Sequence, residues 1–113
     1  MAKVYITQVP HKRDEATRAF VPAFNIAPAS EHGDLVIMMP PRATFHATGD
    51  LVAQLRDHLK HYDFDGGDSI VALGDPSIIA AAAAILGRTV GKFRLLKWDR
   101  NIGRYIAAII NVV

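Results

Sequence analysis

Apolar positions fall into short blocks separated by proline, glycine and charged residues. In residues 3–9, apolar Val4 and Ile6 are followed by polar Thr7 and Gln8, and Pro10 ends the run, which predicts a strand. Residues 11–18 carry charge without an apolar period and read as a loop or hairpin tip. Residues 20–27 read as a second strand, placed at an edge by Pro22. Residues 28–33 form a turn. Residues 35–39 are a continuous apolar run, as in a strand covered on both faces, and Pro40 and Pro41 stop it.

The next block changes period. After a connector at 43–47, Thr48 is placed to cap a helix over residues 49–61, with Asp50 in its first turn. Leu51, Val52, Leu55 and Leu59 share one face, and Gln54, Arg56, Asp57 and Lys60 the other. The most informative block is 68–87. Ile70, Val71, Ala72 and Leu73 predict a buried strand, and Gly74 a sharp turn. Asp75 fits a helix N-cap, and Pro76 the first helical position. Alanines 80–84 propagate that helix and Gly87 is placed to end it. The helix is apolar on every side over 78–86, which predicts complete burial. Residues 93–98 and 105–113 read as two strands around a tip at 99–103, where Gly103 suits positive φ.

The predicted order is β-β-β-α-β-α-β-β in one α/β domain over residues 1–113. It implies a mixed six-stranded sheet with a parallel βαβαβ centre and flanking antiparallel hairpins. If the third, fourth and fifth strands are neighbours in that order, both helices cover one face and the other is bare. Yet the third, fourth and sixth strands are apolar on both faces; residues 106–110 show no alternation. Three arrangements remove the conflict: the strand order reverses, the first hairpin folds over the open face, or a second copy covers it. A homodimer is the expected one.

Composition narrows the classes. The 113 residues include no cysteine, which excludes disulfides and cysteine nucleophiles or metal ligands and fits a reducing cytoplasm. No signal-peptide pattern and no run of about twenty apolar residues is present, so no membrane span is expected. The net charge of +2 is small, but it is unevenly spread. Arg88, Lys92, Arg94, Lys97, Arg100 and Arg104 face the single acid Asp99 across one stretch, with Trp98 and Tyr105 between them. Cations for phosphates and flat rings for bases suit single-stranded nucleic acid; a solvated hairpin explains the same residues.

In open α/β sheets, ligands settle beyond the carboxyl ends of parallel strands. Arg42 (with His46 nearby), Asp75, Ser77 and Arg100 are the anion-site candidates there. The α-helix start at Asp75 could favour a phosphate, but it lacks P-loop and dinucleotide glycine spacing, and capping explains its residues without a ligand. His58 and His61 share a helix face without a predicted third ligand, and Asp63, Asp65 and Asp68 miss the calcium-loop pattern. No metal site or cofactor is expected. No nucleophile, base and orienting group form a recognisable set, so an enzymatic reading has no support.

Two segments carry a resemblance. Leu73-Gly74-Asp75-Pro76 before the alanine-rich helix, and Phe93 to Arg100 with Gly103-Arg104-Tyr105, are similar to small hypothetical proteins of tailed bacteriophages. The resemblance covers the half of the chain from Asp68 onward. It implies a viral origin and work inside a bacterial host; that group has no established activity, so no residue role is carried over. The leading expectation is a non-enzymatic binding protein acting on nucleic acid or a host protein through the basic and aromatic hairpin. The alternatives are a nucleotide or other small-anion site, or weak enzyme, around Asp75 and Ser77, and a structural oligomer.

Overall fold

The first strand, β1 (Lys3–Gln8), runs through the interior of the sheet. The structure is a computed structural model, and it describes residues 1–44 and 50–113. After β1 come a small antiparallel hairpin, β2 (His11–Arg13) and β3 (Phe20–Pro22), and a 3-10 helix, Ala27–His32. There follow β4 (Asp34–Met39), α1 (Leu51–Leu59), β5 (Ser69–Val71), α2 (Pro76–Thr89), β6 (Lys92–Asp99) and β7 (Arg104–Asn111).

The fold is mixed α/β, as expected. Its sheet has five strands in the order β4-β1-β5-β6-β7, and the hairpin β2–β3 forms a separate two-stranded sheet. β1 is parallel to both β4 and β5, β5 is parallel to β6, and β6 is antiparallel to β7. The third and fourth predicted strands are therefore not neighbours, because β1 lies between them. The chain steps from β1 to β4 on one side, then returns past β1 to β5 on the other. The chain reverses direction after β4, but β4, β5 and β6 still follow one another in one direction, so both helices stay on one face and the loop and 3-10 helix that follow the first hairpin cover part of the other. Val4, Tyr5 and Ile6 are fully buried, which explains why an inner position suits β1 better than an outer hairpin.

α1 and α2 pack on each other and on the same face of the sheet. There, Leu51, Leu55, Leu59, Ile78, Ala82 and Leu86 meet Tyr5, Met38, Ile70 and Phe93. The opposite face carries a smaller cluster, Val4, Ile6, Val71, Leu96 and Tyr105, covered by Ala29 of the 3-10 helix and by Ile26. The 3-10 helix packs against β1, β4 and β7. Its end is tied to the last hairpin: His32 Nε2 lies 3.0 Å from the Tyr105 carbonyl, and Glu31 takes a two-point contact from Arg104.

Three local expectations are corrected. α2 is not buried all round, since Ala80 and Ala84 are exposed; small side chains leave one of its sides open to solvent. α2 also continues past Gly87 to Thr89, and Gly91, at φ +87°, is the glycine that turns the chain into β6. The cap of α1 is Asp50, whose carboxylate accepts from Ala53 N–H at 3.1 Å. The connector at 43–47, the Thr48 cap and the start of that helix at Gly49 fall largely or wholly on residues outside those described, as does His46.

Candidate functional site

The reversal of strand order places the carboxyl ends of β4, β1 and β5 side by side, where an open sheet normally leaves a crevice. Here Gln8, the last residue of β1, fills it. Its side chain is buried, and it donates from Nε2 to the Pro40 carbonyl at 2.8 Å and the Ala43 carbonyl at 2.9 Å. Its Oε1 accepts from Asp75 N–H at 2.8 Å. One carboxamide thus ties the loop after β4 to the loop after β5. Gly74, at φ +90°, makes room for it, because a Cβ there would collide with the Gln8 side chain. Next to it, Thr7 Oγ1 accepts from Leu73 N–H at 2.8 Å. The sequence signal for Gln8 is slight: a polar residue at the end of an inner strand, which must find partners if buried.

The α2 N-terminus is likewise occupied. The Asp75 carboxylate accepts from Ser77 N–H at 2.7 Å, and the Asp75 carbonyl accepts from Ile78 and Ile79 N–H at 3.0 and 3.1 Å. Pro76 has no N–H, so the first turn offers no free donor to a phosphate. Ser77 is exposed. Arg42 stacks over the Phe20 ring at 4.4 Å from its centroid, in a cleft with His11, Pro40 and Pro41. Arg100 is exposed at the β6–β7 tip with no hydrogen bond or ion pair among the described residues. Gln8 joins the loops of Arg42 and Asp75; nothing ties Arg100 to them.

The basic and aromatic candidates divide. Arg94 faces the loop before β5, where its guanidinium donates to the Asp68 carbonyl at 2.7 Å and lies over Phe64. Its own N–H donates to the Tyr62 hydroxyl at 3.0 Å. Burial raises the Tyr62 hydroxyl's pKa above its ordinary value. Lys92 also sits over Phe64, at 4.6 Å. Arg104 is held by Glu31, whose carboxyl its hydrogen bond lowers below the usual range. Tyr105 is buried against Trp98, with ring centroids 5.1 Å apart at 67°, and burial raises its hydroxyl's pKa. Arg88 lies in the last turn of α2, beside a groove between the helices. Among the described residues, the side chains of Arg88, Lys97 and Arg100 make no hydrogen bond, ion pair or ring contact, and Lys97 lies on the opposite strand face from Trp98.

What the sequence did not show is the surface that Trp98 joins. Trp98 is 49% exposed and lines a groove of about 420 Å³ with Phe24, Asn25, Pro28, Leu73 and Tyr105. Phe24, 51% exposed, and Asn25 also line a second groove of about 560 Å³, with Val9, Ile26, Leu35 and Ile37. Ile37 is 51% exposed. The two grooves share Phe24 and Asn25 as their common wall, so apolar surface runs from Ile37 to Trp98 across the face that the helices leave open.

The sequence profile of the family described as Phage Pam3 gp32-like protein matches residues 2–112. The chain belongs to that family. The tailed-phage resemblance read in its second half is borne out, and the match extends it to the first half as well. No curated protein and no solved structure matches the chain. No helix among the described residues of this phage-family protein is long and apolar enough to cross a membrane. Among the described residues, no three His, Asp or Glu side chains group to hold a metal ion.

Proposed function

We propose that this phage protein is a non-enzymatic binding protein. It works as a homo-oligomer in the cytoplasm of the host cell and holds a host protein against the open face of its sheet, where the C-terminal hairpin meets Phe24. The observation that carries this reading is the apolar strip from Ile37 through Phe24 to Trp98, formed by large side chains that are each about half exposed. Contiguous exposed apolar surface with aromatic anchors is the ordinary signature of a protein-docking face. Binding energy at such a face concentrates in rings that enter pockets, and Phe24 and Trp98 stand beside grooves of that kind.

A protein partner is favoured over nucleic acid for an electrostatic reason. Nucleic-acid affinity comes mainly from cations that neutralise phosphates. Of the six basic candidates, Arg94 and Arg104 are engaged by protein oxygens and Lys92 by an aromatic ring. Arg88, Lys97 and Arg100 remain, but Arg88 lies in the last turn of α2 and Lys97 on the opposite strand face from Trp98, so they form no continuous phosphate track beside the ring.

The test is a photo-crosslinking amino acid in place of Phe24, expressed in phage-infected cells, with Gln54 on the exposed side of α1 as the control position. The expected result is one discrete protein adduct from position 24 that position 54 does not give. Crosslinking to nucleic acid alone, or the same adducts from both positions, would overturn the reading.

A further inference from the structure

We infer that a second copy of this chain adds to the sheet at β7, antiparallel, with the two-fold axis at Ile109. The inference rests on the homo-oligomer reading above and specifies its contact. In an antiparallel pair, residues alternate between bonding to the neighbour and pointing away from it. Lys92 is paired with Asn111, and Val112 N–H donates to the Gly91 carbonyl at 2.9 Å. The even-numbered residues of β7 therefore bond to β6, and the odd-numbered ones direct N–H and C=O outward.

Both ends of that outer edge are already occupied. At the start, the His32 ring holds the Tyr105 carbonyl at 3.0 Å. Past the end, Val113 N–H donates to the Asn111 side chain at 3.1 Å. Between them, Ala107, Ile109 and Asn111 keep their outward backbone groups unpaired among the described residues. This same strand turned around pairs with Ala107, Ile109 and Asn111 and with nothing beyond them. Ile109 then faces the partner's Ile109, and Ala107 faces the partner's Asn111. A register shifted toward the start needs the Tyr105 carbonyl; one shifted toward the end needs Val113 N–H.

The side chains agree with the backbone. Ile106 falls opposite the partner's Val112, and Ala108 opposite the partner's Ile110, so no charge meets a charge. Ile109, Ile106 and Val112 are 56%, 42% and 58% exposed in the single chain. Residues 105–110 carry no charge and no proline, the devices that usually guard a free edge. The pairing is isologous and closes at two copies, because it uses the one unpaired segment of each β7 edge.

The experiment is light scattering on the whole chain and on Ile109→Pro, with circular dichroism on both. Proline removes the outward N–H while sparing every bond to β6, so the variant should fold. The expected result is a dimeric parent and a monomeric variant with the same spectrum. A second arm needs no disruption: Ile109→Cys in this cysteine-free chain, treated with diamide. Diamide takes up the two electrons and two protons released as the thiols join into one disulfide. Paired Cα atoms about 5.5 Å apart lie within disulfide range, so a linked dimer should form. Ala108→Cys, off the axis, should give little. A dimeric parent whose Ile109→Pro variant stays dimeric, or whose Ile109→Cys variant does not link, overturns the β7 contact and leaves the oligomer reading standing. A monomeric parent overturns both.

Discussion

One face of the sheet is covered by two helices and the other by a short 3-10 helix and the loop before it. The helix side has a continuous core in which Leu55, Ile78 and Leu86 are fully buried. The open side has a smaller core around Val4, Ile6 and Ala29, and beyond it half-exposed Phe24, Ile37 and Trp98. Similar apolar residues thus play different parts. On the helix side they are removed from water by folding, and on the open side their remaining surface stays available to a partner. On the proposed reading, stability and recognition occupy separate faces of one sheet.

The largest effect should come from emptying the helix side. Leu55→Ala or Leu86→Ala removes a fully buried side chain, and each should cost about 2–5 kcal/mol, read as a fall in denaturation midpoint. Next is the carboxamide that locks the carboxyl edge. Gln8→Ala leaves the Pro40 and Ala43 carbonyls and the Asp75 N–H without their partner and should cost about 1–3 kcal/mol. A change near zero would mean water replaces the side chain freely. On the buried end of the open face, the Ser69 hydroxyl has no hydrogen-bond partner among the described residues. Ser69→Ala should therefore raise stability, by about 1 kcal/mol, in the same measurement.

The smallest effect belongs to the exposed pair that ties the 3-10 helix to β7. Arg104 holds the Glu31 carboxyl below its usual value by hydrogen bonding and by charge. A carboxyl lowered in the folded state contributes stability that is full above its ordinary range and lost as pH falls through the lower folded value. Melting followed into the acid range should show a slight extra loss in the parent that Arg104→Met lacks. Equal acid profiles would show that the pair contributes nothing measurable.

Much of the fold was legible where its causes are local. The cap at Asp75, the proline after it and the apolar run before it fix β5 and the start of α2 within a few residues of sequence. The doubly apolar sixth strand signalled apolar surface on both faces of the sheet, and β7 carries exposed isoleucines on both sides. Strand order was not legible, because it depends on β1 pairing with segments more than thirty residues away in β4 and more than sixty away in β5. The same distance hid the fates of Arg94 and Arg104, whose partners Asp68 and Glu31 lie far along the chain. It hid Gln8 as well, whose side chain gathers loops from two other strands. The apolar strip was invisible for a further reason: Phe24 sits in what reads as a strand but is a loop leading into the 3-10 helix.

The division between the two faces is tested most directly by partner capture from Ile37, using a photo-crosslinking residue at that position in infected cells. The measurement compares the otherwise unchanged chain with one carrying Phe24→Ser and Trp98→Ser, both first shown to melt alike. The account predicts that the protein adduct formed from Ile37 is lost when the two rings are removed, although the fold is intact. An adduct of equal yield without Phe24 and Trp98 would contradict it.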